Sequence, residues 1–228
     1  MLLLQFSTSH YCRKARLALG YKHIPYQVEN LTPGLHMFRV MPLTGVATLP
    51  VLLPQLPQSG GQPEVVGDST RIFEFLEKYQ PEPAIFPVDP VDRLAAQVLE
   101  DWLDESIGTA TRFVYYQFRS KEGKTIDPSL ASMAIIRVVR SQYGINQATA
   151  DLAKHRLELA LDRLSAQWRN SDYLIGNQLT IADLTAAALL SPLALIPFYR
   201  QSYPWLFDRI TQIHQACNEP LPPGLIGD

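Results

Sequence analysis

The apolar pattern of this 228-residue chain changes its period near residue 80. Before that point short apolar runs alternate with helical stretches. After it the spacing is helical nearly throughout. Such a change calls for two units, a small α/β unit and then an all-helical one. Residues 2–6 form an apolar run of strand length. Residues 9–21 carry Tyr11, Ala15, Leu17, Ala18 and Leu19 at helical spacing, with Arg13, Lys14 and Arg16 as the polar positions. Residues 24–29 read as a second strand, so a βαβ unit with a right-handed crossover opens the chain. Residues 30–48 read as irregular. Strands at 49–53, with Pro50 at its start, and at 64–66 follow, then a helix at 69–79. The loop 54–63 holds three prolines and two glycines and is expected to be exposed.

Four prolines between 81 and 90 mark a linker. Asp89-Pro90 then gives a helix start, aspartate as N-cap and proline in the first turn, for a helix running to about residue 118. Asp127-Pro128 repeats that signal. Helices at 147–168, 180–190 and 204–217 complete a bundle of about five, and residues 219–228 read as an irregular tail. The expected division is an α/β domain over 1–80, of order βαβ-ββα, and an all-α domain over 90–228.

Composition removes several function classes. A net charge of −2 gives no basic footprint for nucleic acid and no polybasic membrane patch. Two cysteines, Cys12 and Cys217, make neither a disulfide framework nor a zinc cluster, and the five histidines add no ligand spacing, so no metal is expected. The first residues lack a basic region and their apolar run stops at Gln5, unlike a signal peptide. No uncharged apolar stretch reaches about 18 residues. A reducing cytoplasm is the expected compartment, and a chain of this size buries enough surface to fold without cross-links.

Four motifs are left. Ser9-His10-Tyr11-Cys12 lies where the first strand meets the first helix. Ser9 there reads either as a plain N-cap or as a donor at a helix end that favours an anion, and His10 either as an aid to a proton transfer or as a surface residue of the first turn. Its Ser-x-x-Cys spacing resembles the Cys-x-x-Cys of thioredoxins and glutaredoxins with an alcohol in the first place. Thr48-Leu49-Pro50-Val51 reads as a strand-start proline or, in a thioredoxin-like order, as a cis peptide whose Leu49 backbone faces a peptide ligand. Gly67-Asp68-Ser69-Thr70 reads as a helix cap or as a cradle for an amino-acid head group. Thr180 and Asp183 have capping-box spacing, and that motif is structural.

In this order and at these distances, Ser-x-x-Cys-x-Lys-x-Arg, Leu-Pro-Val-Leu, Asp-Ser-Thr and Leu-Ile-Gly-Asn-Gln-Leu-Thr-Ile-Ala-Asp resemble the glutathione transferase family over nearly the whole chain. The resemblance implies a thioredoxin-like first domain, glutathione as co-substrate with no further cofactor, a hydrophobic electrophile between the domains, a detoxification role and a homodimer. It places Ser9 at the catalytic serine of the serine-type classes, where omega-like classes carry cysteine. It places Leu49 and Pro50 on the cysteinyl part of glutathione and Asp68 and Ser69 on the γ-glutamyl group. Thr48 stands where many relatives have Lys or Gln, which leaves the glycyl carboxylate to Arg39 or His36. Tyr115 and Tyr116 are expected on the hydrophobic side, with Phe113 and Phe118 divided between that cleft and the core.

A free thiol titrates at about 8.5, so a thiolate majority at neutral pH needs about 2 units, roughly 2.7 kcal/mol. A hydrogen bond from the Ser9 hydroxyl supplies about 1.5–3 kcal/mol, and the helix end about 0.3–1 kcal/mol. Ser9 therefore acts as a donor, not as a nucleophile. Two rival readings stand beside this one. The first is thiol redox chemistry at Cys12, in the first turn of the helix. The second is ligand binding without turnover, since a fold does not fix a function.

Overall fold

The computed structural model describes residues 1–54 and 64–226. Strands β1 (Leu2–Gln5), β2 (Gln27–Asn30), β3 (Val51–Leu53) and β4 (Val66–Gly67) form one sheet in the order β2-β1-β3-β4. β1 and β2 are parallel, and β3 runs antiparallel to β1 and to β4. Helix α1 (His10–Tyr21) makes the crossover, and α3 (Ser69–Tyr79) follows β4. The result is a thioredoxin-like domain in the expected βαβ-ββα order.

Residues 30–48 are not irregular throughout. They contain α2 (His36–Thr44), which ends at Gly45 with φ 78°. The pattern concealed it because Pro42 sits inside the helix and Leu35 at its start offers no side-chain cap. β2 and β4 also begin later than expected. Most of the loop expected to be exposed at 54–63 lies outside the described residues.

From Pro90 onward the chain is helical, with α4 (Pro90–Trp102), α5 (Gly108–Arg119), α6 (Leu130–Gln142), α7 (Gln147–Trp168), α8 (Ile181–Leu190), α9 (Pro197–Ser202) and α10 (Pro204–Ala216). That is seven α-helices among the described residues, not about five. Asp89 caps α4 as expected, its Oδ1 accepting from the Val91 and Asp92 amides at 2.9 and 3.0 Å. The single helix expected from there to residue 118 is broken by a π-turn at Leu103–Ile107. All ten residues of α8 are buried, so this helix has no solvent face and forms the axis of the domain.

α1 packs between α3 and α8 and so belongs to both domains. Its polar positions are therefore not a solvated face. Arg13 and Lys14 are buried, Lys14 completely, because acidic and hydroxyl groups of the second domain close over them. At the far end of α1 the fully buried Lys22 holds the linker. Its ammonium donates to the carbonyls of Gln80, Pro81 and Pro83 at 2.6–3.2 Å and pairs with Glu77 at 2.7 Å.

Candidate functional site

The sheet register decides which loops meet. Leu4 pairs with Val51, and Val51 with Gly67. One residue further along, Gln5, Pro50 and Asp68 come abreast at one end of the sheet. The loop carrying Ser9, the Leu49–Pro50 peptide and the Asp68-Ser69 turn are thus brought together, and α1 and α3 both begin there. Two helix N-termini thus lie at the same end of the sheet, a setting that favours anionic groups.

Ser9 is the N-cap of α1. Its Oγ accepts from the Cys12 amide at 3.3 Å. Capping uses a lone pair and leaves the hydroxyl proton free to donate, so cap and donor are compatible roles. Cys12 has no exposed surface. Burial pushes its thiol up, with the Ser9 hydroxyl pulling the other way. A reactive cysteine needs the opposite combination, access and a lowered pKa.

Leu49–Pro50 is a cis peptide, with Leu49 half-buried and Pro50 buried. Asp68 caps α3. Its Oδ1 accepts from the Thr70 and Arg71 amides at 2.9 and 3.1 Å, and Oδ2 has no hydrogen-bond partner among the described residues. Asp68 is exposed and holds φ 75°, a conformation that costs a non-glycine residue energy and tends to occur at ligand sites. Ser69 is buried directly behind it.

The two residues considered for the glycyl carboxylate differ. His36 accepts from the Gly34 amide at Nδ1 (3.1 Å), so its Nε2–H donates to the Ala47 carbonyl (3.0 Å). It braces the segment before Leu49 and has no donor to spare. Arg39 sits on the surface with Nε 3.4 Å from Glu29, which leaves its other donors available.

On the facing domain Tyr115 and Tyr116 are half-buried, and their rings meet edge to face at 5.3 Å. The Tyr115 hydroxyl accepts from Arg119 at 2.9 Å. Phe113 and Phe118 pack against the core.

His10 is not on the surface. It is 8% exposed, its Nε2 lies 3.2 Å from the Gly108 carbonyl, and burial with help from Arg112 and Arg13 pushes its pKa down to about 3. Tyr11 donates to the Asp104 carbonyl at 2.8 Å. A Cβ on Gly108 would come within 2.8 Å of the Tyr11 hydroxyl, so only glycine lets α5 approach this closely. Tyr11 thus meets a carbonyl of the π-turn and His10 the carbonyl of the first residue of α5, which joins the domains here.

Below that contact lies a buried charge cluster. Lys14 pairs with Glu100 and with Asp104 (2.6 Å) and donates to Thr70 at 3.0 Å, and Thr70 donates to Glu100 at 2.8 Å. The first turn of α3, which carries the Asp68-Ser69 cradle, is thereby tied to the helical domain. Sequence reading missed this cluster. The weak available signal was the i, i+4 pair Glu100 and Asp104 on a largely apolar helix. Among the described residues no group of three or more His, Cys, Asp or Glu side chains is placed to hold a metal ion. Among the described residues no helix is long and apolar enough to cross a membrane.

A thioredoxin-like sheet with a serine-capped first helix, a cis-proline at the same sheet end and a helical second domain is the two-domain architecture of the glutathione transferase fold. The family models of the glutathione S-transferase N-terminal and C-terminal domains match residues 3–84 and 129–204. The chain belongs to the glutathione transferase family. It is 30% identical over 107 residues to a stringent starvation protein A homologue of Pasteurella multocida, covering 45% of this chain and 47% of that protein. The chain thus spans about half the length of that relative. It is 26% identical over 181 residues to FtsZ-localized protein A of Caulobacter vibrioides, covering 78% and 71% of the two chains. Among solved structures, a glutathione S-transferase of Methylobacterium radiotolerans in complex with glutathione sulfonate has a TM-score of 0.71 at 23% identity, covering 97% of this chain and 94% of that one. At that identity the likeness concerns the fold.

Proposed function

We propose that this chain is a serine-type glutathione transferase in which the Ser9 hydroxyl donates to the glutathione thiolate. The observation that carries the reading is the division of labour between Ser9 and Cys12. Ser9 stands at the shared edge as the N-cap of α1 with a hydroxyl able to donate, while Cys12 is sealed in the core. Leu49 offers its backbone to the cysteinyl unit, Pro50 shapes that edge, and Asp68 and Ser69 take the γ-glutamyl ammonium and carboxylate. Arg39 takes the glycyl carboxylate. The thiolate attacks an electrophile held against Tyr115 and Tyr116. A cytoplasmic location suits two free, buried cysteines. A homodimer suits the apolar stripe Val91, Leu94 and Val98 on α4, 61–75% exposed in the single chain.

The test is glutathione conjugation against a small panel of electrophiles. Ser9→Ala is expected to lose at least about tenfold in rate, 1.4 kcal/mol of transition-state stabilisation, and Cys12→Ser to keep the wild-type rate. Loss that follows Cys12 instead would sink the donor mechanism. A second reading, binding without turnover, draws on the relatives whose names record starvation and FtsZ localisation and no reaction. Glutathione binding with no conversion of any electrophile would favour it.

A further inference from the structure

We infer that Arg112 is a carboxylate clamp for the second substrate, so that the electrophile taken at this site is an acidic one. This rests on the transferase reading above and names its substrate class. Arg112 lies one turn beyond Gly108, the residue that touches His10 and Tyr11 at the start of α1. Its guanidinium stands between two rings, 5.3 Å from Tyr11 and 4.6 Å from Tyr143. Among the described residues it donates no hydrogen bond and forms no ion pair. Arg119, two turns further along, shows the contrast. Its guanidinium is spent on the Gly123 carbonyl, the Tyr115 hydroxyl, the Ser132 hydroxyl and the Asp127 carbonyl.

A guanidinium flanked by aromatic rings is held in place while its planar edge keeps its donors, the geometry that accepts a carboxylate through two parallel bonds. The surrounding charge points the same way. Residues 108–146 carry six cations (Arg112, Arg119, Lys121, Lys124, Arg137, Arg140) against Glu122 and Asp127, a net of +4 in a chain of overall charge −2. The carboxylates nearest Tyr11 do not neutralise Arg112. Asp104 is paired with Lys14, and the exposed Glu105 makes no ion pair with Arg112. A local excess of positive charge concentrates ligands of the opposite sign.

With an α,β-unsaturated ketone that carries a carboxylate, the step balances without further reagents. The thiolate sulfur bonds to the β-carbon, and the π pair of the alkene moves into the enolate. The enolate then takes up a proton in place of the one the thiol released. No leaving group, oxidant or reductant is needed.

The probes are ethacrynate and its methyl ester, which share one enone and differ in charge. After normalising to the uncatalysed reaction with glutathione, wild type is expected to favour the acid by at least about tenfold in kcat/KM. Arg112→Gln is expected to bring the ratio to near unity and Arg112→Lys to leave it between the two. Tyr143→Leu, which removes one flanking ring, should lower the ratio severalfold. Equilibrium binding of both probes in the presence of S-methylglutathione, followed by calorimetry, reads the clamp without any turnover. Tighter binding of the acid that depends on Arg112, with no conversion of either probe, would keep the clamp and sink the transferase reading. Conversion of both probes at equal efficiency, or an acid preference that survives Arg112→Gln, would overturn the clamp and leave the transferase reading standing.

Discussion

Of the aspartates at helix starts in this molecule, Asp183 and Asp68 are finished to different degrees. In the helical domain the Asp183 carboxylate is saturated. One oxygen accepts from the Trp168 indole (3.2 Å) and the Leu174 amide (2.8 Å), the other from the Thr180 amide and hydroxyl (3.1 and 3.0 Å). Asp183 is fully buried. In the thioredoxin-like domain Asp68 spends one oxygen on two amides and presents the other. Ser9 follows Asp68, with one amide accepted and its hydroxyl beside the Cys12 sulfur. A polar group whose capacity is used up holds the fold. One whose capacity is left over at a shared edge is where a ligand enters.

The largest effect expected from that contrast is at Asp183. Asp183→Ala strands several buried donors at once and should cost about 3–5 kcal/mol, read as a lowered urea midpoint with unchanged slope. A loss below about 1 kcal/mol would show that the saturated cluster does not hold the bundle.

Asp68→Asn should show the reverse profile. An amide keeps an acceptor oxygen for the cap, so stability should change by less than about 1 kcal/mol. Glutathione affinity should fall by about tenfold, since the charge opposite the γ-glutamyl ammonium is gone. Titration calorimetry beside a urea curve separates the two quantities. Equal losses in both would place Asp68 with Asp183 as a structural cap.

Legibility in the sequence followed the same contrast. Local, saturated signals could be read. The helix at Gln147–Trp168 and the Thr180 start both emerged from period and capping residues alone, and the order of strands followed from the βαβ-ββα pattern. Ser9, Leu49, Pro50, Asp68 and Ser69 could be named because each lies at an element boundary, where few residue types serve. What could not be read depends on partners far along the chain. Lys14 read only as a polar position of the first helix, because its carboxylates lie 86 and 90 positions away. Arg112 was passed over because its meaning depends on Tyr11 and Tyr143, which the fold alone brings together. The break at Leu103–Ile107 carries no breaker residue within it, and the contact it makes is with Tyr11 of α1, far away in the chain.

At neutral pH His10 gives the smallest effect, and its pH dependence tests whether the seam beside the open caps is itself closed. Burial holds its pKa at about 3, against an ordinary 6.5 in the unfolded chain. As pH falls below 6.5 the unfolded chain takes up a proton that the folded chain refuses. The neutral-His10 contribution is therefore complete above that pH and is lost as pH drops toward 3. His214, lowered to about 4 by burial and by Arg13, adds to the same limb. Glu100 and Asp183, both raised by burial, have the opposite slope, losing stability as pH rises from the ordinary carboxylate range through their folded values. His10→Gln keeps a donor for the Gly108 carbonyl and cannot ionise. The urea midpoint of the variant should fall less steeply than that of wild type between pH 6.5 and about 4, by up to one proton in the slope. Parallel curves would mean that His10 opens to solvent in the folded protein, and the seam between α1 and α5 would then count among the open regions.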